Sequence, residues 1–375
     1  MYMVIAVNTR FLLPGYLEGY GNFIVECFKR IAADHPSDSF IFLFDRPFEN
    51  SFIFSDNIIP LIVTPVTRHP LLLWSWLNLK IPPILKKYKA DVFVSLDGSC
   101  SLNTRIPQCL GIHDLAFIHY PAYLKRSHLL FYKKFTPLFI KKARRIVTVS
   151  QFSSQDIISS YGVDGDKIDV VYNGVSNKFL PIHFSIKAEI KEKYTDGNEY
   201  FLYTGAIHPR KNLINLLKAF SIFKKKQKSS MRLVIVGRLA WKNEKFMELL
   251  KSYRFKEEVS MPGYIDQVSL AKITAAAYAM VYPSLFEGFG VPPLEAMRCG
   301  VPVLASNVSA IPEIGGNAIM YFDPADYVDI ANKMMMIYKD EKLRREYIEL
   351  GLERVKLYNW ERTSGLLWDS IIAST

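Results

Sequence analysis

Short runs rich in Val, Ile and Phe alternate with helical patterns along most of this chain. In the first half, strands are predicted at MVIAVN, FIFLFD, VFVSL, CLGIHD and RIVTVS. In the second half, they are predicted at YFLYTGA, RLVIVG, VSMPG, AMVYPS and VPVLAS. Continuous apolar strands separated by helices of about 10 to 15 residues are typical of parallel sheets with right-handed crossovers. The pattern therefore predicts an α/β protein built on doubly wound sheets.

The chain is long enough for two such domains. Its 375 residues exceed the size at which a single hydrophobic core stops growing. After DVVYNGVS the sequence becomes polar, in the stretch SIKAEIKEKYTDGNEY, before the strand pattern starts again. We therefore predict a domain boundary near residues 178–198.

Composition narrows the class of protein. Hydrophobic residues make up 50% and charged residues 22%, as in ordinary globular proteins. The four cysteines lack the C-x-x-C spacing of a zinc site and fall in predicted core elements, which favours buried thiols in a reducing compartment. The N-terminal MYMVIAVNTR predicts a strand instead of a signal peptide, and no apolar run approaches the roughly 18 residues of a spanning helix. These features predict a cytoplasmic protein that is not integral to a membrane.

The net charge of +11 favours an anionic partner. Between Leu115 and Gln155 there are eight basic residues and no acidic ones, interleaved with the apolar runs LLFY and PLFI. A solvated helix face explains this stretch, and so does docking on an anionic bilayer at the inner face of the plasma membrane. Nucleic acid is the weakest of the three explanations because no binding motif accompanies the charge.

Ligands of doubly wound sheets bind beyond the carboxyl ends of the strands, so the loops there are the places to search. Gly19 and Gly21 precede a predicted helix and are suited to a phosphate, although they lie too far from the strand for a dinucleotide fingerprint. His113 ends a predicted strand, and the other histidines lack zinc-ligand spacing with it. The DGD at residues 164–166 is interpreted as a turn and not as a metal site.

Two further loops carry cations. Arg210 and Lys211, in TGAIHPRKNLINLL, follow a strand and precede a helix. Two cations at a helix N-terminus form an anion site suited to a diphosphate. Arg238 begins the corresponding loop after RLVIVG, which makes a pair of chance surface charges the weaker explanation.

Two acids lie in FEGFGVPPLEAM, residues 286–297. The loop holds Glu287, and the helix that the adjacent prolines start holds Glu295. Gly288 and Gly290 let the backbone approach a ligand closely. The spacing suits carboxylates that accept hydrogen bonds from sugar hydroxyls. It fits poorly with the acid and nucleophile of a glycosidase, which must flank a single bond.

Taken together, these motifs resemble the retaining glycosyltransferases of family 4, particularly the bacterial mannosyltransferase-like members. The resemblance covers nearly the whole chain and is carried by the two acids spaced E-x7-E, by PSLFEGFG, GVPVLASNVSAIPEIGG, GIHDLAFIHYPAYL, VTVSQFSSQDI, TGAIHPRKNL, VGRLAWKNEKF and YNWERTSGLL. It implies the GT-B fold, in which two Rossmann-like domains face a central cleft. Residues 1–180 would form the acceptor-side domain, residues 181–355 the donor domain, and residues 356–375 a helix that crosses back to the first domain.

The resemblance also implies roles for individual residues. Glu295 would bind the ribose hydroxyls and Glu287 the hydroxyls of the donor sugar, while Arg210 and Lys211 hold the diphosphate. His113 would lie at the reacting face. The remaining donor-binding positions would be Gly19, Gly21, Gly205, Arg238, Phe289, Gly290 and Val291. One departure is His208, where many relatives carry an acidic or small residue; it leaves the diphosphate site intact.

The sequence thus predicts a retaining hexosyltransferase that needs no metal or other cofactor. On family likeness the donor is GDP-mannose, with UDP-hexoses as the alternative, and the acceptor is a glycan or lipid-linked glycan in cell-surface polysaccharide synthesis. Three rivals stay open: a non-catalytic nucleotide-sugar-binding subunit, a nicotinamide-dependent oxidoreductase, and a phosphorylase or epimerase of the same fold. Neither the donor base nor the acceptor follows from the sequence.

Overall fold

The computed structural model describes residues 2–13, 15, 17, 19–240 and 242–375. Trp241, within the motif VGRLAWKNEKF, lies outside the described residues. The chain divides into two compact units. Unit 1 comprises Met1–Gly174 and Asn359–Thr375, and unit 2 comprises Val175–Tyr358.

Unit 1 is built on a parallel sheet of seven strands in the order β3-β2-β1-β4-β5-β6-β7. The strands are β1 (Val4–Asn8), β2 (Ser39–Phe44), β3 (Ile58–Ile62), β4 (Val92–Ser95), β5 (Gln108–Gly111), β6 (Arg145–Thr148) and β7 (Ile168–Val170). The helices are α1 (Gly19–Asp34), α2 (Pro70–Ser75), α3 (Ile81–Lys87), α4 (Ala116–His119), α5 (Arg126–Lys142) and α6 (Gln151–Tyr161). A π-helical stretch, Trp76–Lys80, joins α2 to α3.

Unit 2 repeats the plan with six parallel strands in the order β10-β9-β8-β11-β12-β13. The strands are β8 (Tyr200–Thr204), β9 (Arg232–Val236), β10 (Val259–Gly263), β11 (Ala279–Tyr282), β12 (Val303–Ser306) and β13 (Ile319–Phe322). The helices are α7 (Phe184–Thr195), α8 (Leu213–Gln227), α9 (Glu244–Lys251), α10 (Gln267–Ala276), α11 (Val291–Arg298), α12 (Ile311–Gly315), α13 (Tyr327–Lys339) and α14 (Glu341–Val355). The last helix, α15 (Trp360–Ile372), belongs to unit 1.

The apolar strand sequences follow from burial on both faces of each sheet. All five residues of β8 are buried, as are all but the first of β2, so neither strand shows an alternating pattern. Helices cover a parallel sheet on both sides, which leaves no face for polar side chains. The predicted pair of doubly wound parallel sheets is confirmed.

Three smaller features bear on the predictions. All four cysteines are free and buried. Asp164 accepts a hydrogen bond from the backbone N–H of Asp166 at 3.0 Å, as in a capped turn. Among the residues that the structure describes, no helix combines the length and the apolar character that crossing a bilayer requires.

Candidate functional site

A cluster of charged side chains lies in unit 2 where β8 and its neighbour β11 end. Arg210 and Lys211 occupy a turn of 3-10 helix after β8, and Asn212, with a φ of 61°, redirects the chain into α8. The backbone N–H of Leu285 donates to the carbonyl oxygen of Arg210 at 2.8 Å. The Asn212 amide donates to the carbonyl oxygen of Pro283 at 3.1 Å. These bonds tie the loop after β8 to the loop after β11.

Glu287 is the centre of this cluster. Its carboxylate forms ion pairs with Lys211 and with Arg210, the latter at 3.4 Å between Nη1 and Oε2. The Tyr282 hydroxyl donates to Oε1 of Glu287 at 2.9 Å and accepts from Nζ of Lys211 at 3.1 Å. The Ser309 hydroxyl accepts from the backbone N–H of Glu287 at 2.9 Å. The structure therefore brings together the two cations and the acid that the sequence analysis assigned to separate parts of a ligand.

The electrostatics of Glu287 follow from these contacts. The residue is only 7% exposed, and burial alone would raise the pKa of its carboxyl. The charges of Lys211 and Arg210 outweigh burial and lower the pKa to about 2. This displacement of the pKa corresponds to roughly 3 kcal/mol in favour of the ionised form. Among the described residues, the cluster holds two cations and one carboxylate, and this excess of one positive charge suits an anionic ligand.

Glu295 has the opposite environment. It lies about one turn into α11, partly buried, and burial raises the pKa of its carboxyl to about 8. The acid is therefore mostly protonated at pH 7. A protonated carboxyl group can donate one hydrogen bond as well as accept, so it can still bind hydroxyl groups.

The start of α11 determines which backbone donors are available there. Gly290 caps the helix with a φ of 111°, a conformation that favours glycine. A helix N-terminus leaves its first N–H groups without helical partners, but Pro292 and Pro293 have no N–H to offer. Backbone hydrogen bonds from this terminus to a ligand would therefore come from the N–H groups of Val291 and of the preceding loop.

The loops after β8 and β9 meet at two glycines. A Cβ atom on Gly237 would lie 1.9 Å from the carbonyl oxygen of Gly205, and Gly237 has a φ of 153°. The N–H of Ile207 donates to the carbonyl oxygen of Arg238 at 2.9 Å, which extends the pairing beyond the strands. Gly205 and Arg238 were predicted from the sequence, whereas Gly237 was not, although a glycine directly follows both strands, in TGA and in VGR.

Three of the predicted residues, His113, Gly19 and Gly21, lie in unit 1. The ring of His113 contacts Tyr20 and Phe23, with centroid distances of 4.5 and 5.1 Å. Burial lowers the pKa of His113 to about 4 in spite of nearby carboxylates, so the ring is neutral at pH 7. Its Nε2 atom is buried and has no hydrogen-bond partner among the described residues. A neutral imidazole with an unsatisfied nitrogen is suited to a hydrogen bond with a ligand.

The two predicted glycines of unit 1 differ. Gly19 is the first residue of α1, and a Cβ atom there would meet no other atom within 4 Å. Gly21 is buried in the first turn, and a Cβ atom would lie 2.6 Å from the carbonyl oxygen of Phe11. Close packing against the loop after β1 thus accounts for Gly21 without a ligand.

Both halves of the chain match models of known protein families. Residues 19–179 match the family described as Glycosyltransferase Family 4, and residues 186–354 match Glycosyl transferases group 1. This chain belongs to glycosyltransferase family 4. The predicted family is confirmed. The first match lies in unit 1 except for its last five residues, and the second lies within unit 2.

Curated relatives of this family 4 glycosyltransferase include two bacterial proteins. The O-antigen chain mannosyltransferase B of Escherichia coli is 31% identical over 250 residues, which is 66% of this chain and 66% of the relative. The O-antigen chain mannosyltransferase RfbU of Salmonella typhimurium is 30% identical over 233 residues, which is 60% of this chain and 61% of the relative. The matched stretch is thus shorter than two thirds of either relative.

Solved structures share the fold across the whole chain. A sucrose-phosphate synthase from Thermosynechococcus elongatus superposes with a TM-score of 0.79 at 20% identity, covering 100% of both chains. Anabaena Alr3699/HepE, solved in complex with UDP-glucose, superposes with a TM-score of 0.78 at 15% identity, covering 99% of both chains. At these identities the likeness establishes the fold of the family 4 glycosyltransferase and nothing finer.

Proposed function

We propose that this family 4 glycosyltransferase transfers mannose from GDP-mannose to a hydroxyl group of a glycan or lipid-linked glycan. The transfer retains the anomeric configuration and uses no metal. The observation that supports the proposal most directly is the cluster of Arg210, Lys211 and Glu287 at the carboxyl ends of β8 and β11. The names of the two bacterial relatives favour mannose over other hexoses.

In this mechanism the barrier is departure of the nucleoside diphosphate. Negative charge grows on the diphosphate as its bond to the sugar breaks, and the guanidinium of Arg210 and the ammonium of Lys211 stabilise it. Preorganised charges of this kind are commonly the largest contribution to catalysis. Glu287 holds both cations in position and accepts hydrogen bonds from the sugar hydroxyls. Glu295 binds the ribose.

The acceptor is proposed to lie at an anionic bilayer surface. On α5, the outward-facing residues include Leu130 and Leu138 together with Lys133, Lys134 and Lys141. Their spacing of three or four residues places them on one face of the helix. A helix face that mixes exposed leucines with lysines has the composition of interfacial helices on acidic lipids.

The experiment that tests this function combines a donor screen with one variant. GDP-mannose is expected to be hydrolysed or used for transfer faster than UDP-glucose or ADP-glucose, at a rate unchanged by excess EDTA. Arg210→Ala is expected to lower kcat about a hundredfold or more, by analogy with the loss of an oxyanion donor. Initial rates of nucleotide release measure both effects.

Tyr282→Phe serves as the matched control, because it removes a hydroxyl from the same cluster and leaves every charge in place. It should cost far less rate than Arg210→Ala. A near-normal kcat for Arg210→Ala would remove that residue from the mechanism. Faster use of a UDP-hexose would replace the proposed donor, and no turnover of any nucleotide sugar would favour a non-catalytic binding protein.

A further inference from the structure

Unit 1 contains a cavity of about 430 Å³ that the reaction described above does not use. It lies where β1 and β2 end, between the loops that follow them and the helices α2 and α5. Its lining includes Arg10, Arg46, Arg68, His128, Phe131 and Tyr132. The carboxyl ends of parallel strands are the usual place for ligands in such sheets.

Two of these arginines are held by buried acids. Asp45 is fully buried and accepts hydrogen bonds from Nε and Nη2 of Arg46 at 2.6 and 2.8 Å. Asp97, also buried, is bonded to the Arg10 guanidinium and to the Asn8 amide. Each carboxylate thus fixes one edge of a guanidinium group at the wall of the cavity. A planar guanidinium fixed in this way is suited to bind phosphate oxygens in pairs.

The charges around the cavity do not cancel. Among the described residues, three arginines, Arg10, Arg46 and Arg68, accompany two aspartates, Asp45 and Asp97, which gives an excess of one positive charge. Burial lowers the pKa of His128 in the same lining, so the imidazole adds hydrogen-bonding capacity more than charge at pH 7. A group with one or two negative charges would balance the cavity.

The helices that wall the cavity also expose leucines. On α2, Leu71 is 72% and Leu72 is 42% exposed, and on α5 Leu130 is 61% exposed. Pro70 and Leu73 of α2 and Phe131 of α5 reach into the cavity itself. Exposed leucines on the two helices that line a cationic cavity suit a ligand that joins a phosphate to a hydrocarbon chain.

We propose that this cavity binds the phosphate group of a lipid-linked acceptor, with the lipid chain against the leucines of α2 and α5. The proposal rests on the glycosyl transfer proposed above and names the class of acceptor. Arg46 and Arg68 contact the phosphate, and Arg10 completes the binding surface.

The test is a titration of the full chain with farnesyl monophosphate, in the presence of the saturating nucleoside diphosphate that the donor screen selects. The nucleotide occupies the cluster around Arg210, so the titration reports a second site. Arg68→Gln is the main variant because Arg68 is exposed and its loss leaves no buried acid unpaired. Arg46→Gln is the second variant, and Arg105→Gln, an exposed arginine outside this cavity, is the matched control.

Both variants are expected to raise the Kd for farnesyl monophosphate about tenfold, the loss of one charge-assisted hydrogen bond. The control should stay within about twofold of the wild type. Farnesol and inorganic phosphate should bind much more weakly than farnesyl monophosphate. Nucleotide affinity, measured on the same samples, should be unchanged in all three variants.

Three results would overturn the proposal. Farnesol binding as tightly as farnesyl monophosphate would mean that the arginines recognise nothing. An equal loss of affinity in Arg105→Gln would mean that binding depends on the overall charge of the protein and not on this cavity. Inorganic phosphate binding as tightly as farnesyl monophosphate would assign the cavity to free phosphate instead of a lipid. Absence of nucleotide-sugar turnover with intact farnesyl monophosphate binding would contradict only the proposed reaction.

Discussion

Glu287 and Glu295 are eight positions apart, yet their carboxyl groups have pKa values of about 2 and about 8. Both are shielded from water, which disfavours the ionised form of an acid. Glu287 has two cations within ion-pair distance, whereas burial alone determines the pKa of Glu295. The difference lies in the partners that the fold supplies and not in the residue type.

Glu295→Gln is expected to stabilise the protein at alkaline pH. The folded chain keeps the Glu295 proton up to about pH 8, while the unfolded chain loses it near the ordinary value of 4.5. The unfolded state therefore binds fewer protons in that window, and wild-type stability falls as pH rises through it. The variant lacks this penalty, so its Tm should exceed that of the wild type by several degrees at pH 8 and match it near pH 4.

Thermal melts across this pH range measure the effect, with Glu349→Gln on the exposed surface of α14 as control. A variant that melts below the wild type at pH 8 would show that the Glu295 carboxyl stabilises the fold. The same substitution should weaken nucleotide binding, because glutamine offers the ribose hydroxyls one oxygen acceptor where the carboxyl group offers two. A gain in stability with a loss of affinity is the usual trade at functional residues.

The residues of this cluster that can be selected from sequence are those whose chemistry stands out. Arg210, Lys211 and Glu287 are charged residues in loops that follow apolar strands, so their types and positions identify them. Tyr282 was missed because it ends the buried strand β11, where a tyrosine is indistinguishable from a packing residue. Its hydroxyl is recognisable as part of the site only when Lys211 and Glu287 are placed beside it.

The strands also differ in how well the sequence predicts them. The strands β2, β8 and β11 were predictable from unbroken apolar sequence. The strand β3 was missed because it contains Pro60 and only its first residue is buried, as befits the edge of a sheet. The strand β13, with sequence IMYF, was also missed. It lies at the edge of the second sheet, and its four residues are too few to show a strand pattern.

The contact between the loops after β8 and β9 should be intolerant of even a methyl group. In Gly237→Ala, the Cβ atom would overlap the backbone of Gly205, and a φ of 153° is strained for alanine. We expect a loss of about 2–3 kcal/mol in the free energy of unfolding. Nucleotide affinity should fall as well, because the loop after β8 carries Arg210 and Lys211.

Urea denaturation and nucleotide titration measure these effects. Gly365→Ala on α15 is the control, because a Cβ atom there meets nothing within 4 Å and alanine is the better helix former. If Gly237→Ala proved as stable as this control, the close approach of the two loops would be wrong.

For the molecule as a whole, two separate cores imply that unfolding need not be a single step. The helix α15 packs on α1 in unit 1, with Leu367 fully buried and the Trp368 and His35 rings stacked at 3.8 Å. Leu367→Ala should remove about 2–5 kcal/mol from unit 1 and lower one calorimetric transition by several degrees.

A nucleoside diphosphate should raise the other transition, since the proposed donor site lies in unit 2 and binding to the native state stabilises it. Ile372→Ala, at an exposed position of the same helix, should leave both transitions in place. One common transition that shifts as a whole in every sample would mean that the two cores unfold together.

The point at which the chain leaves unit 1 has a practical consequence. Gly174, the last residue before unit 2, packs so tightly against Trp360 that an added Cβ atom would lie 2.5 Å from the tryptophan backbone nitrogen. The hydroxyl of Thr363 also donates to the carbonyl oxygen of Tyr172 at 2.7 Å. The chain therefore leaves unit 1 and returns to it at neighbouring positions, as it does in a domain that carries another domain as an insertion. Excising residues 175–358 and joining the ends with a short glycine linker should yield a smaller protein that keeps the cavity lined by Arg10, Arg46 and Arg68 and is convenient for ligand discovery.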